Sequence, residues 1–406
     1  IKHVKLVERL MLKQSERGVF AIVGFLGLVG LLSVEAYRSD IPVTKDSIGS
    51  LIDVVEHLEH VGEIVGAQVL VGHGDRVLAE KYIGVVAPDR QTQVDAETMF
   101  CIGSTSKPFT STVAMSLVDE GVLELDRPID VWLPQFGDLE VVGGEPAVRA
   151  PTLRELLIHR SGIFSQRMAL SDEQRNLIRD FSSSLEESVN GIANQELIAQ
   201  AGKQYAYSGA GYCVIGRIAE VVTGRSFDVL LQERICRPLG LERTTYFPPL
   251  GDHNVSAGAK PGTEGQKVHE GTPHLLGAGL KFPLIGGGIY STVGDLARFS
   301  RMIIQQGKFG SHSLLTSDAW FDMTNRQQPE GPRRLYGMGW VLTAGTKSDR
   351  PTWVGHTGAL ASSRATLKIA LGSGHYIIVL YSVTDNDRQA DDQINNAVDM
   401  LMRAIG

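Results

Sequence analysis

Ser104 and Lys107 place a hydroxyl and an amine three residues apart in the stretch Phe100-Cys101-Ile102-Gly103-Ser104-Thr105-Ser106-Lys107-Pro108-Phe109. Side chains at that spacing share one face of a helix, so the two groups meet if a helix begins near Gly103. A serine hydroxyl is a weak nucleophile at neutral pH, and a desolvated lysine with a lowered pKa can take its proton without any histidine. The pair is the sole S-x-x-K in the chain. Its competing reading is a capped amphipathic helix, with Ser104 as the cap and Lys107 in solvent.

Acyl transfer through a serine also needs a proton shuttle and an oxyanion hole. The glycine-punctuated Tyr205-Ala206-Tyr207-Ser208-Gly209-Ala210-Gly211-Tyr212 precedes a helical run and offers Tyr207. A tyrosinate beside a lysine is a competent base, because the cation lowers the phenol's pKa. Gly355-His356-Thr357-Gly358-Ala359 opens a β region. Its glycines let backbone approach a ligand closely, and an edge strand there would turn N–H groups toward an oxyanion.

The elements that must carry these residues follow from periodicity. A helical pattern runs through Leu51, Val54, Val55 and Leu58, then Ala67–Val71 and Arg76–Ile83 read as a hairpin. The Ser104 helix is predicted to reach about Glu120, with Gly121 as its stop. Thr152 and Glu155 form a capping-box pattern, and helices are expected over 211–222, 227–236 and 293–306. Residues 164–200 are polar without clear period, Ser182-Ser183-Ser184 reading as a loop or cap, and no substrate contact is placed there. Tyr336–Thr343, Ser363–Ala370 and Tyr376–Val383 read as strands, and Asp391–Ala404 as an amphipathic helix. Strands at both ends of the body with helices between them predict an α+β fold: one antiparallel sheet flanked by helices, with an inserted, mainly helical region. The expected division is 51–121 and 285–406 for the α/β part and 122–284 for the helical part, after a linker over 37–50.

Composition excludes several classes of function. With 406 residues, 43% of them apolar, the chain supports one large or two moderate cores. The net charge of −7 lies on the body, since the first 36 residues hold five Lys/Arg against three Glu. An acidic body argues against nucleic acid as a partner. Three well-separated cysteines, Cys101, Cys213 and Cys236, form no disulfide framework or thiolate zinc site and read as buried thiols, with a single bridge left open. No H-E-x-x-H occurs, so no metal is expected, and the absence of G-x-S-x-G disfavours an α/β-hydrolase elbow. The glycines 286–288 lack the lysine and setting of a phosphate loop. His159 reads as a packing or capping residue.

Lys2, Lys5, Arg9, Lys13 and Arg17 precede an uncharged run over residues 18–34. As a helix that run reaches about 25 Å, marginally a bilayer core. Residues 1–36 therefore read as a membrane anchor through 18–34, or as a signal peptide cleaved after Val34-Glu35-Ala36. Both place the body on the periplasmic or extracellular side. The long apolar run fits a mitochondrial transit peptide poorly.

From about residue 55 onward the chain resembles the serine β-lactamase and penicillin-binding-protein-like hydrolases, of the class C type that includes esterases and D-amino-acid peptidases. The resemblance is carried by Ser104/Lys107, Thr152–Gly162, Tyr207–Tyr212, Pro238-Leu239-Gly240-Leu241, Gly287–Thr292 with Asp295-Leu296-Ala297, Tyr336-Gly337-Met338-Gly339-Trp340 and His356-Thr357-Gly358. It implies a nucleophile at Ser104 with Lys107 as proton acceptor or electrostatic partner. It implies Tyr207 as base and later proton donor to the leaving group, and an oxyanion hole from the Ser104 and Ala359 N–H groups. Substrate, a small molecule or peptide, would lie against Gly209, His356, Thr357 and Gly358, with no cofactor. Two positions depart from the family pattern: Gly209 stands where an asparagine is common, and His356 where β-lactamases carry a lysine. A missing cation weakens attraction for a β-lactam or peptide carboxylate. The reading is therefore hydrolysis of an ester or amide, with β-lactamase or D,D-peptidase as the alternative. The same departures leave open a catalytically silent, membrane-tethered ligand-binding or scaffold protein. No feature bears on oligomeric state.

Overall fold

The computed structural model describes residues 45–259, 268, 272–327, 335–344, 351–384 and 389–405. The basic and apolar N-terminal segment lies outside them. Among the described residues no helix is long and apolar enough to cross a membrane.

Seven strands form one sheet: β1 Ile64–His73, β2 Arg76–Gly84, β3 Leu335–Tyr336, β4 Val341–Ala344, β5 Pro351–Leu360, β6 Ser363–Ala370 and β7 His375–Val383. Their order is β2-β1-β7-β6-β5-β4-β3, antiparallel throughout. β1 therefore pairs with the last strand of the chain, Val69 opposite Val379. Both strands are buried on both faces, which is why they read as near-continuous apolar runs.

Strand alternation sends Ile377, Val379 and Tyr381 to one face and Ile378 and Leu380 to the other. On the first face they meet Leu51, Val55 and Leu58 of α1 (Lys45–His60) and Ile394, Val398 and Leu401 of the C-terminal helix (Gln389–Ile405). On the second face lies the larger core. It includes Phe109 of α2 (Ser106–Asp119), Leu156 of α3 (Leu153–Leu157), Val214 of α4 (Gly209–Thr223) and Phe299 of α5 (Val293–Ile304). Numbered in sequence, the C-terminal helix is α6.

Local chemistry fixes the helix ends. Thr152 and Glu155 complete a reciprocal capping box at α3. Ser208 accepts the Gly211 N–H at 2.9 Å to start α4, which Gly224 ends at φ 68°. The polar 164–200 segment holds two short capped helices, Ser184 with Glu187 closing one capping box and Ser171 with Gln174 the other.

Three expectations change. The strand predicted over Tyr336–Thr343 is two strands, β3 and β4, because the chain reverses at Gly337–Trp340, where Gly339 takes φ 80°. A Cβ on Gly339 would lie 2.3 Å from Ser111 Oγ and 2.9 Å from the Lys107 carbonyl, so the glycine lets this turn lie on α2. The helix predicted over 227–236 is α-helical only to Leu231 and widens into a π turn over Gln232–Cys236. β5 is an interior strand, yet β4 covers it only as far as Gly355, so residues 356–360 present a local edge on that side. The three cysteines are free thiols, all buried.

Leu58 is fully buried between α1, α6 and the sheet. Leu58→Ala should cost about 3 kcal/mol of stability, measured by denaturant unfolding, while leaving the reactivity of Ser104 in the folded fraction intact.

Candidate active site

The chain leaves a short strand, Phe100–Cys101, paired with Tyr290–Ser291, and enters a tight 3-10 turn over Gly103–Thr105 before α2. Ser106 braces the turn: its hydroxyl donates to the Gly103 carbonyl at 2.7 Å and accepts the Ile289 N–H at 3.2 Å. Gly103 has φ +50°, and a Cβ there would lie 2.4 Å from the Ala359 nitrogen. A Cβ on Gly358 would lie 1.8 Å from the Ile102 carbonyl oxygen and 3.0 Å from the Ser104 nitrogen. Two glycines thus let the uncovered half of β5 lie directly against the turn, bringing the Ser104 and Ala359 amides together. Ser104 is half-buried, and Thr357 and Ala359 are exposed.

One helical turn on, the Lys107 side chain is 1% exposed. Its ammonium nitrogen lies 3.3 Å from Ser104 Oγ and 2.7 Å from the Gly286 carbonyl, 4.7 Å above the Tyr207 ring and 5.1 Å above that of Tyr212. Among the described residues no carboxylate pairs with it. Burial, reinforced by the Arg179 and Arg167 charges, brings its pKa down to about 7.

The Tyr207 hydroxyl lies near Ser104, whose hydroxyl favours the phenol's anion. Burial pushes this phenol up, outweighing the Ser104 hydroxyl and the Arg167 guanidinium, which sits 4.4 Å over the ring. The expected lowering of the tyrosine by its lysine neighbour is therefore not met. Desolvation of this buried phenol costs the anion more than the nearby cation returns.

His356 is 4% exposed, beneath the cleft floor. Its Nδ1 contacts the Thr357 carbonyl at 2.7 Å and so must donate, leaving Nε2 to accept from the Tyr336 hydroxyl at 3.2 Å. Tyr336 in turn lies 3.1 Å from His159 Nε2, and His159 Nδ1 accepts the Ser208 N–H at 3.1 Å. The whole chain is satisfied only with both rings neutral. Burial holds His356 down at about 3 and His159 well below the ordinary range. His356 therefore brings no cation to the site at neutral pH. His159, read from sequence as a packing residue, links the Ser208 backbone to β5 through Tyr336.

The Gly209 side chain is absent, but its space is used. A Cβ there would meet the Gln166 carboxamide at 3.4 Å, and Gln166 Oε1 accepts the Gly209 N–H at 2.7 Å. Gln166, Arg167 and Arg179 reach the cleft from the polar segment that periodicity left blank.

Ser104, Tyr207, Tyr336, Thr357 and Ala359 line a cavity of about 300 Å³, and Ser104 and Ala359 also border a second recess with Lys107, Gln166 and Arg179. A separate cavity of about 320 Å³ at Trp320, Phe321 and Trp353 contains none of these groups. A hydroxyl held between a buried amine and a phenol, under two converging amides, is the equipment of a serine acyl-transfer enzyme.

The β-lactamase family model matches residues 51–399, and the chain belongs to this family of serine hydrolases. It is 28% identical over 314 residues to penicillin-binding protein 4 of Amycolatopsis lactamdurans, spanning 74% of this chain and 76% of that one. It is 23% identical over 382 residues to the D-alanyl-D-alanine-carboxypeptidase/endopeptidase AmpH of Escherichia coli, spanning 91% and 93%. The structure of EstCE1, a hydrolase with promiscuous acyltransferase activity, superposes with a TM-score of 0.71 at 21% identity, covering 87% of this chain and 98% of that one.

Gly358→Ala should displace β5 from the nucleophile turn. Labelling of Ser104 by a fluorophosphonate is expected to slow at least about a hundredfold, the scale of losing one oxyanion donor, in protein that still melts cooperatively.

Proposed function

We propose that the protein hydrolyses an ester or amide bond of a small molecule or peptide through an acyl-enzyme on Ser104. The observation that carries this is the Lys107 amine 3.3 Å from the Ser104 hydroxyl, buried and without a carboxylate partner among the described residues. With a pKa of about 7, a large fraction of the amine is neutral at physiological pH. A neutral amine keeps an N–H for the Gly286 carbonyl and a lone pair for the Ser104 proton. In this reading Lys107 accepts the proton as Ser104 attacks. Tyr207, neutral and near Ser104, relays a proton to the leaving group, and the Ser104 and Ala359 N–H groups receive the oxyanion. Water then releases the acyl group by the reverse proton path.

His356, Thr357, Gly358 and Gly209 form the substrate-facing wall in this proposal, with Thr357 the exposed polar contact. A second reading, cleavage of D-alanyl peptides, is favoured by the match to AmpH over nine-tenths of the chain. The neutral His356 argues against a carboxylate recognised at β5. Work outside the cytoplasm is supported by the basic residues preceding the apolar run 18–34.

Ser104→Ala should abolish the single fluorophosphonate adduct seen by intact mass on the wild type. No adduct on folded wild-type protein would refute the hydrolase assignment for this site.

The pH profile tests the proton acceptor. Lys107 must be deprotonated to act, so acylation should rise with pH through about 7 and then level off. Lys107→Arg, which cannot give up its proton, should lose that rise together with roughly a hundredfold or more of the rate. The same shift has a sign for stability: with the folded pKa depressed from 10.5, the unfolded chain binds the extra proton between pH 7 and 10.5. This group's destabilisation is thus full below pH 7 and fades as pH rises above it.

A further inference from the structure

The positive charge around Ser104 does not lie where β5 would place it. On the β5–β6 side, His356 is neutral within its hydrogen-bond chain. Arg364 is buried and engaged, its Nε 3.0 Å from Asp391 Oδ2 and its Nη1 on the Ala361 and Ser363 carbonyls. Asp391 also accepts the Tyr381 hydroxyl at 2.8 Å. That wall is therefore electrostatically closed.

The opposite wall is open. Arg179 follows Ile178 on the segment after α3 and borders the recess that holds Ser104, Lys107, Gln166 and Gly286. Arg179 is exposed at the rim of that recess. No carboxylate among the described residues is paired with it. The groups that act on its charge are the buried Cys101 and Cys213 thiols, which are pushed up to about 12 and so are neutral. A guanidinium stays protonated even when its pKa falls. An exposed guanidinium without a carboxylate partner among the described residues can take an arriving anion through charge-assisted hydrogen bonds.

The recess also has a direction. Tyr207, the proton donor to the leaving group in the reading above, lines the other cavity and not this one. In that reading the leaving group departs past Tyr207, and the acyl substituent points toward the recess. The recess is small, about 30 Å³, and Ile178, Leu284 and Leu360 also border it. Apolar side chains beside an exposed guanidinium that has no carboxylate partner among the described residues suit an aliphatic chain with a terminal anion, laid along the rim of the recess.

We propose that the acyl half of the substrate carries a carboxylate, received by Arg179. This rests on Ser104 being the acylated residue. Acylation joins the substrate carbonyl carbon to Ser104 Oγ and releases the alcohol or amine with the serine's proton. The carboxylate at the far end of the acyl chain takes no part in bond exchange and only positions the carbonyl.

The test compares two aryl esters of equal chain length, the 4-nitrophenyl half-ester of adipic acid and 4-nitrophenyl hexanoate. The readout is the ratio of their kcat/KM values within each protein. Wild type should favour the anionic ester about tenfold or more, and raising the salt concentration should shrink that preference. In Arg179→Gln the ratio should fall to about one, and in Arg179→Lys it should recover in part. A wild-type ratio near one, or a ratio unchanged in a folded Arg179→Gln, overturns the proposal. If Arg179→Gln fails to fold, the salt dependence and Arg179→Lys decide by the same criterion. Turnover of neither ester by wild type, together with no fluorophosphonate adduct on Ser104, would instead sink the acyl-enzyme reading.

Discussion

An amine taken out of water without a counter-ion is the constraint on which this site depends. Lys107 could be stabilised as a cation by a carboxylate, and it would then be useless as a proton acceptor. Instead it meets a main-chain carbonyl, two aromatic faces and a serine hydroxyl, none of which carries a full negative charge. In the proposed mechanism that desolvation cost holds a base near neutrality. Gly286 is part of the arrangement: a Cβ there would fall 3.0 Å from the Lys107 nitrogen. Glycine at that position leaves the amine room to reach the carbonyl.

The neighbours of the amine follow from the same demand. Two neutral histidines and a tyrosine satisfy one another in a line from the Ser208 backbone to β5, so that region is ordered by hydrogen bonds without adding charge beside the base. The cations that do occur, Arg167 and Arg179, lie toward solvent and push the lysine further in the useful direction. Position and charge are thus divided between two walls. One wall is rigid and uncharged at its surface, and the other is a loop segment carrying guanidinium groups.

Much of this was legible in the sequence because it rests on local rules. The S-x-x-K spacing, the Thr152 capping box, the β1–β2 hairpin and the two last strands each depend on residues near one another in the chain. What stayed illegible was set by distant contacts. Nothing near Gly339 says that its turn lies on α2, so β3 and β4 read as one strand. Nothing near His159 shows Tyr336 beside it, so a linking residue looked like packing. Tyr207 showed the limit of a local electrostatic rule, since the effect of its lysine neighbour was reversed by a burial that only the fold defines. Gln166 and Arg179 lie on a segment without periodicity, where side chains are positioned by short capped helices and not by an amphipathic face.

The pairing of β1 with β7 has a bearing on how the molecule comes into being. The nucleophile turn is made early, about a quarter of the way along the chain, but the amide it lies beside is Ala359 and the strand that closes the sheet ends at Val383. Contacts of such sequence separation form late and slowly. A chain still emerging from the ribosome thus carries its serine and lysine for most of its synthesis without a floor beneath them. Under the proposed mechanism, prematurely ended products would be inert, and acyl transfer would begin only when the last hairpin docks.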